Sequence, residues 1–230
     1  MEIPGYAAVV GDLVASRRDP QRARLQEKLL AALEATNREV PAIQPLRITI
    51  GDEFQALFTT LDAALRATLL VRLLLAGVSD VRFGVGWGAL TTFDPATAPL
   101  GQDGPAWWAA RDALDTTVSL QGGRPPLGLR TVFVEGEPTS APAPEGLPPP
   151  RPLAAGLEDV INAAVTLRDE LVSHMDSRNA RLMFGFLAGR SQTDMAAEEG
   201  VTQAAISQRL RRSAAHAVRR SQQLLEQALS

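Results

Sequence analysis

The sequence of 230 residues contains no cysteine, only two histidines and a single lysine, Lys28. Without cysteine the chain forms neither disulfides nor thiolate metal sites, and two histidines are too few for a histidine-rich zinc site. It also lacks the roughly 18 consecutive apolar residues of a membrane span. Its first residues do not have the basic and then apolar layout of a signal peptide. Together these absences predict a cytoplasmic protein.

Charge is present but nearly balanced, at a formal net value of -3, and 45% of the residues are hydrophobic, which is enough for a sizeable core. The basic residues are unevenly distributed, because residues 201–230 contain five arginines against one acid, Glu226. A basic C-terminal end suggests a nucleic-acid partner. The five arginines are Arg209, Arg211, Arg212, Arg219 and Arg220.

Apolar periodicity through residues 1–135 alternates between strand and helix and predicts the order β-α-β-β-α-β-α-β. This order predicts an α+β fold of the ferredoxin-like kind, with a mostly antiparallel sheet and its helices on one face. The strand predicted at 81–88 contains Gly84, Gly86 and Gly88, which predict a bulge or a close approach of another backbone.

Residues 136–153 contain seven prolines and predict an extended, semi-rigid linker. Beyond the linker, residues 154–230 have helical periodicity throughout and predict a second, all-α domain.

Two acidic positions follow predicted strands in the first domain. Asp12 comes at the end of the apolar run Tyr6–Val10, and Asp52 and Glu53 stand at the turn of a hairpin predicted over residues 45–58. Carboxylates beside buried strands are costly unless they are paired, and a divalent cation is one natural partner. Carboxylates on adjacent strand ends can hold two Mg²⁺ or Mn²⁺ ions. The alternative is that these acids only cap a strand end and a turn.

The segment from about 191 to 212 has a helix-turn-helix layout. Ser191 and Thr202 are placed to cap two short helices, Gly200 takes the turn, and Ile206 and Leu210 fill the space between them. The segment resembles winged and sigma-factor-region-4-like helix-turn-helix families.

The second of these helices is predicted to present a polar face to the major groove of double-stranded DNA. Gln203 is suited to reading adenine, and Arg211 to a guanine or a phosphate. The alternative is an ordinary helical hairpin that forms a dimer interface. DNA binding and dimerisation are both correct if a homodimer binds DNA. The predicted DNA-binding residues are Thr202, Gln203, Ala204, Ser207, Gln208, Arg211 and Arg212.

Together with the C-terminal helix-turn-helix, four blocks in this order resemble the SatD family over nearly the whole chain. They are Gly11-Asp12-Leu13-Val14-Ala15-Ser16-Arg17, Gly51-Asp52-Glu53-Phe54-Gln55, Arg82-Phe83-Gly84-Val85-Gly86 and Asp103-Gly104-Pro105-Ala106-Trp107-Trp108-Ala109-Ala110-Arg111. The same blocks are similar, more distantly, to the catalytic core of class III nucleotidyl cyclases and GGDEF-type cyclases.

That second resemblance implies roles for particular residues. It implies a two-ion Mg or Mn site on Asp12 and Asp52, with the Leu13 carbonyl as a further ligand and Glu53 as an accessory acid. The backbone amides of residues 13–17, with Ser16 and Arg17, would hold the phosphates of a nucleoside triphosphate. Arg111 would be the arginine that supports the transition state, so that Arg111 and Glu53 are the catalytic candidates.

Three departures from the cyclase pattern limit what the resemblance implies. Ile48 stands where class III enzymes have a base-reading lysine, and Trp107 stands where they have an asparagine. Ile50 replaces the glycine that precedes the Gly-Asp-Glu-Phe run in GGDEF enzymes. The metal-binding half of the pattern is retained, whereas the base-reading and transition-state half is not.

We therefore expect a DNA-binding regulator of transcription or of a stress response, whose cyclase-like domain binds a nucleotide with a divalent metal. Nucleotide occupancy would alter domain orientation or dimer geometry, and so DNA affinity. The first alternative is an active nucleotidyl cyclase or nucleotidyltransferase that makes a signalling nucleotide. The second is a dimerising scaffold without catalysis.

Overall fold

A computed structural model describes residues 5–14, 22–92, 102–121, 128–137 and 153–229. The predicted α+β class is confirmed, and a short β-ribbon is present in addition to the predicted strands. The first strand extends to Leu13, so Asp12 lies inside it and not beyond its end. The elements are β1 (Tyr6–Leu13), α1 (Arg22–Glu39), β2 (Gln44–Ile48), β3 (Phe54–Phe58), α2 (Leu61–Leu75), β4 (Val81–Gly88), β5 (Thr91–Thr92), β6 (Gln102–Asp103), α3 (Pro105–Gln121) and β7 (Thr131–Glu135).

Five of these strands form one sheet in the order β2-β3-β1-β4-β7, and β5 pairs with β6 in the separate ribbon. Strand β1 is central and pairs antiparallel with both β3 and β4, whereas β4 and β7 are parallel. The sheet is mostly antiparallel, as the sequence predicted.

The helices cover both faces of the sheet, which corrects the prediction that they lie on one face. Ala7 and Val9 of β1 point into the core with α1 and α2, whereas Tyr6, Ala8 and Val10 face α3. The close backbone approach predicted from the glycines of β4 is what allows α3 to pack on the second face of the sheet. A Cβ atom on Gly84 would lie 2.0 Å from the Ala110 carbonyl oxygen, and one on Gly86 would lie 2.1 Å from that of Ala106. Helix α3 therefore packs directly on the backbone of β4.

The C-terminal part of the chain is helical, as predicted. Its apolar residues extend the core beneath the sheet, because Ile161, Val165, Leu225 and Leu229 share one cluster with the strands and with α1 and α2. The domain boundaries at the proline-rich segment stay a prediction, since most of that segment lies outside the described residues. The helices are α4 (Leu157–Ser173), α5 (Ser177–Leu187), α6 (Gln192–Glu198), α7 (Gln203–Arg212) and α8 (Ala215–Leu229).

Charged side chains are buried where α4 meets α2 and β7. Asp169 is fully buried, forms an ion pair with Arg72 at 2.9 Å, and contacts the buried Arg168 at 3.2 Å. Arg168 also donates to the Leu65 carbonyl oxygen at 2.8 Å and to the Thr131 hydroxyl at 3.0 Å. We call Arg72, Arg168 and Asp169 the buried arginine–aspartate cluster. It joins the C-terminal helices to the sheet layer.

In the part of the chain that the structure describes, no helix is both long and apolar enough to cross a membrane.

Candidate functional site

The predicted hairpin is formed by β2 and β3, and its tip holds Asp52 and Glu53. Gly51 adopts φ 69°, a left-handed conformation that glycine accepts without strain. The Glu53 amide donates to the Ile50 carbonyl at 3.1 Å, and the Thr49 amide donates to the Glu53 carbonyl at 2.9 Å. This tight turn fixes Glu53 immediately before the first residue of β3.

Asp12 forms a bidentate ion pair with Arg82. The two residues are direct partners in the β1–β4 register. The Arg82 Nε and Nη2 atoms donate to the two Asp12 carboxylate oxygens at 2.8 and 2.6 Å. The side chains are 26% and 17% exposed, so solvent reaches the pair. Parallel bonds of this kind are among the stronger protein contacts because both partners are charged.

Glu53 forms a second pair of the same geometry, with Arg111 of α3. The Arg111 Nη1 and Nη2 atoms donate to the Glu53 carboxylate at 2.9 and 2.7 Å. The hydrogen bond with Glu53 raises the pKa of Arg111, against the effect of burial, and the charges of Asp115 and Asp12 add to the increase. The two pairs are close in space because the antiparallel β1–β3 register pairs Gly11 with Phe54, which places Asp12 beside Glu53. We call Asp12, Arg82, Glu53 and Arg111 the paired-charge site.

A cavity of about 430 Å³ adjoins the paired-charge site between the sheet and α3. Trp108 is 58% exposed, and its indole N–H donates to Asp103. Trp107 is half-buried against the apolar layer below α3. Arg111 belongs both to the cavity wall and to the paired-charge site. The residues that line this α3 cavity are Val10, Gln55, Gln102, Trp107, Trp108, Arg111 and Asp112.

The predicted metal and phosphate residues are only partly gathered here. Asp12 and Glu53 converge on the paired-charge site, and Asp52 lies half-buried at the hairpin tip. The Leu13 side chain lies in the core on the other face, so that only its backbone is available to a ligand. Ser16 and Arg17 lie outside the described residues.

No group of three or more acidic or histidine side chains is placed to hold a metal ion within the described ranges. The donor chemistry nevertheless fits magnesium or manganese, because carboxylate and carbonyl oxygens are the ligands those ions prefer. The Asp12 and Glu53 oxygens here accept hydrogen bonds from guanidinium groups. A metal ion can therefore bind these carboxylate oxygens only when the two arginines form hydrogen bonds with other groups.

Arg82 was missed as a site residue, although it was quoted in one of the four sequence blocks. Its partner across the sheet depends on the register of β1 against β4, which pairs Asp12 with Arg82. A signal was present in the sequence: a charged residue alternating with apolar ones in a central strand needs a counter-charge.

A second group of predicted site residues lies on α7. Thr202 caps its N-terminus by accepting from the Ala205 amide at 3.2 Å, and Gly200 takes the preceding turn with φ 63°. Ile206 and Leu210 are buried as predicted. The remaining predicted residues lie on the outer side of α7, where all are exposed except the half-buried Ser207: Gln203, Ala204, Ser207, Gln208, Arg211 and Arg212.

One protein family matches the sequence of this chain, and solved structures of other proteins are similar to its fold. The model of the SatD family matches residues 6–120, half of the chain. No curated protein matches the sequence.

Among solved structures, the chain is similar to a bacterial light-regulated adenylyl cyclase. The TM-score is 0.44 at 17% identity, over 56% of this chain and 75% of that one. A second structure of a bacterial light-regulated adenylyl cyclase gives a TM-score of 0.43 at 15% identity, over 56% of this chain but only 43% of that one. An EAL/GGDEF domain protein from M. capsulatus gives 0.36 at 16% identity, over 50% and 77% of the two chains. No role for a residue of this chain follows from these similarities.

Proposed function

The chain belongs to the SatD family, and from that premise we propose that it is a DNA-binding regulator whose N-terminal domain binds a nucleotide together with a divalent metal. The observation that carries the nucleotide half is the paired-charge site. Two arginines and two carboxylates neutralise one another at the edge of a cavity that solvent reaches. The site is thus charged, self-paired and accessible.

A metal–nucleotide complex supplies the partners that such a site needs. Its phosphates suit the guanidinium groups of Arg82 and Arg111, which bind phosphate in the same bidentate geometry as carboxylate. The carboxylates that these arginines release would then hold Mg²⁺ or Mn²⁺, with Asp52 and the Leu13 carbonyl as further ligands. The ion would neutralise the phosphate charge.

The DNA half of the proposal is supported by α6, the Gly200 turn and α7. Both helices have a side-chain cap at the N-terminus, from Ser191 and Thr202. The outer side of α7 is polar and ends on basic residues, which suits phosphate contacts beside a major groove. A homodimer would place two such helices on neighbouring half-sites.

Coupling between the two halves would pass through the buried arginine–aspartate cluster. Because α4 is fixed to α2 and β7 by this cluster, a swing of the C-terminal helices away from the sheet would break several buried charged contacts. We therefore expect nucleotide occupancy to act on dimer geometry more than on the orientation of one domain within a chain.

Nucleotide binding is tested by calorimetric titration of each nucleoside triphosphate with Mn²⁺, and by thermal unfolding under the same conditions. At least one triphosphate is expected to bind and to raise the unfolding temperature. The variant Asp12→Asn should weaken the metal-dependent part of the binding, and Asp159→Asn, which removes an exposed carboxylate of α4, is the matched control. If no triphosphate changes either readout, the nucleotide half is wrong.

DNA binding is tested by fluorescence anisotropy with a random-duplex pool at several salt concentrations. Log affinity should fall linearly with log salt concentration, and the slope should decrease by about one for each phosphate contact removed in Arg211→Ala and Arg212→Ala. Arg24→Ala, an exposed arginine of α1, is the control. Absence of salt-dependent binding would contradict this half, and a nucleotide without effect on it would contradict the coupling.

The enzyme alternative is supported by one arrangement. Arg111, the candidate transition-state arginine, contacts Glu53 and is influenced by the charge of Asp12. Incubation of each triphosphate with Mn²⁺, followed by chromatography, separates the two functions. A product that the Asp52→Asn variant does not make would favour a nucleotidyl cyclase or nucleotidyltransferase over a binding module.

A further inference from the structure

A separate cavity lies in the helical part of the chain, where the end of α4, the first turn of α5 and α7 meet. Its volume of about 580 Å³ falls in the ordinary range for small-molecule sites. We call it the α7 cavity. Its wall includes Leu171, Met175, Asn179, Gln208, Arg209 and Arg212.

The charge of the α7 cavity is positive and unbalanced. Arg209 and Arg212 both line it, and no carboxylate of the described residues forms an ion pair with either arginine. The carboxylate of Glu170, on the adjoining end of α4, is already bound to His174. Two guanidinium groups without a counter-charge in one cavity wall favour an anionic ligand.

Arg209 is held in the wall and differs from a freely solvated surface arginine. It is half-buried, and its Nη1 atom donates to the Asn179 side-chain oxygen at 3.4 Å. Asn179 in turn binds the carboxylate of Asp176, so that this acid also has a partner other than Arg209. A partly buried cation with only a neutral partner is poorly compensated for its lost hydration. A carboxylate or phosphate would supply two acceptors in the geometry that a guanidinium group prefers.

The wall of the α7 cavity also has an apolar part. Leu171 is 40% exposed, and Met175 beside it is half-buried. An inorganic anion would leave this apolar surface in water, whereas a ligand with an apolar part would cover it. The flexible Met175 side chain can adapt to the shape of such a ligand. The cavity therefore suits an anion that carries an apolar body.

We propose that the α7 cavity binds a small organic oxyanion, a carboxylate or phosphate with a short apolar body, and that this ligand competes with DNA. Its charged end pairs with Arg209 and Arg212, and its body lies on Leu171 and Met175. Gln208 and Arg212 belong both to the cavity wall and to the predicted DNA-binding side of α7. A bound ligand would therefore withdraw these groups from DNA. The competition rests on the proposed DNA function, whereas the anion site does not.

Ligand binding is measured by calorimetric titration of the full-length chain in the absence of divalent metal. The ligands are hexyl phosphate, heptanoate, inorganic phosphate and hexanol, so that the charge and the apolar body are tested separately. Hexyl phosphate, heptanoate or both are expected to bind about tenfold more tightly than inorganic phosphate, the gain from burying about two methylene groups. The same compounds should also bind about tenfold more tightly than hexanol, which lacks the charge. The tighter of the two identifies the oxyanion.

Two variants test the two parts of the wall. Arg209→Gln removes the charge and should lower the affinity for the tighter amphipathic anion about tenfold. Leu171→Ser removes the apolar surface and should bring that affinity close to the affinity for inorganic phosphate, which itself should not change. The matched controls are Arg24→Gln on α1 and Leu224→Ser on α8, exposed residues outside the cavity that should leave binding as in wild type.

Competition is measured by fluorescence anisotropy with labelled duplex DNA. Addition of the tighter amphipathic anion should weaken DNA binding by the wild-type chain, and hexanol should have no effect. The same anion should leave DNA binding unchanged in Arg209→Gln, since this arginine is not among the predicted DNA-binding residues.

The failures of the two proposals are distinguishable. If neither amphipathic anion binds more tightly than inorganic phosphate, or if Arg209→Gln binds as wild type does, the anion site is overturned whatever the chain does with DNA. If the anion binds but DNA affinity stays the same, the competition is overturned. If the chain binds no DNA, the proposed DNA function and the competition fail together, and the calorimetric titration still decides the anion site.

Discussion

Arginines meet carboxylates in two surroundings in this protein. In the paired-charge site, Asp12 and Glu53 each have one arginine, and every side chain is 17 to 43% exposed. In the buried arginine–aspartate cluster, Asp169 is fully buried and serves two arginines that are at most 8% exposed. Water and ions can replace the arginine partners of the carboxylates in the paired-charge site, but they cannot reach the buried arginine–aspartate cluster. The difference indicates an exchangeable binding site and a fixed structural junction.

The largest expected effect comes from breaking the fixed junction. Asp169→Asn leaves Arg72 and Arg168 buried without a counter-charge, and we expect a loss of about 3–5 kcal/mol in the free energy of unfolding. Urea unfolding followed by circular dichroism measures it. Asp159→Asn, an exposed carboxylate of the same helix, is the control and should change stability by about 0.5 kcal/mol or less. A loss below about 1 kcal/mol would show that the junction is not fixed by this charge.

A smaller effect is expected when α3 is moved away from the sheet. Gly86→Ala places a Cβ atom 2.1 Å from the Ala106 carbonyl oxygen. This distance is too short for two non-bonded atoms, so α3 must shift. Such overpacking costs about 1–3 kcal/mol. Urea unfolding should detect this loss, and triphosphate affinity should fall because Arg111 moves with the helix. Retention of both wild-type stability and wild-type affinity would contradict the close packing of α3.

Breaking an exposed pair should affect binding more than stability. Arg111→Gln removes a bidentate phosphate ligand, and we expect triphosphate affinity to fall about tenfold or more. The free energy of unfolding should change by about 1 kcal/mol or less, because the pair is screened by solvent. Calorimetry and urea unfolding measure the two quantities, with Arg24→Gln as the control. The reverse pattern, a large stability loss with unchanged affinity, would make the pair structural.

The smallest effect concerns Glu170, the exposed neighbour of Asp169. Hydrogen bonds from the Gly128 amide and with His174 lower the pKa of Glu170 below its ordinary value of 4.5. Its stabilising contribution is therefore present above that value and lost as the pH falls through the lowered pKa. Glu170→Gln should be less stable than wild type near neutral pH, and the difference should shrink in acid. Urea unfolding at about pH 5.5 and about pH 3.5 measures this change, and a constant difference would contradict the assignment.

Sequence reasoning anticipated the elements well where periodicity and caps were strong. The family resemblance, the α+β class, the hairpin and the two capped helices around Gly200 were all predicted. Glycines in β4 indicated a close backbone approach, which the structure confirms at Gly84 and Gly86. These glycines were not interpreted as evidence for a helix on the second face of the sheet, and so the prediction that the helices lie on one face was wrong.

The missed features all depend on contacts between residues distant in sequence. Arg168 and Asp169 are neighbours on α4, but their partners lie on α2 and β7, between 37 and 103 positions away. Asp12 and Arg82 are 70 positions apart and meet only through the strand register. A local pattern can indicate that a charged residue needs a partner but not which residue that partner is, which explains why carboxylates expected to hold metal were not also recognised as arginine partners.

The most direct test is a crystal of the full chain soaked with Mn²⁺ and a non-hydrolysable triphosphate. We predict anomalous density for manganese beside Asp12 and Asp52, with Arg82 and Arg111 turned from their carboxylates to the phosphates. The buried arginine–aspartate cluster should be unchanged. Triphosphate bound elsewhere, or bound with both exposed ion pairs intact, would contradict the claim that these pairs are exchangeable.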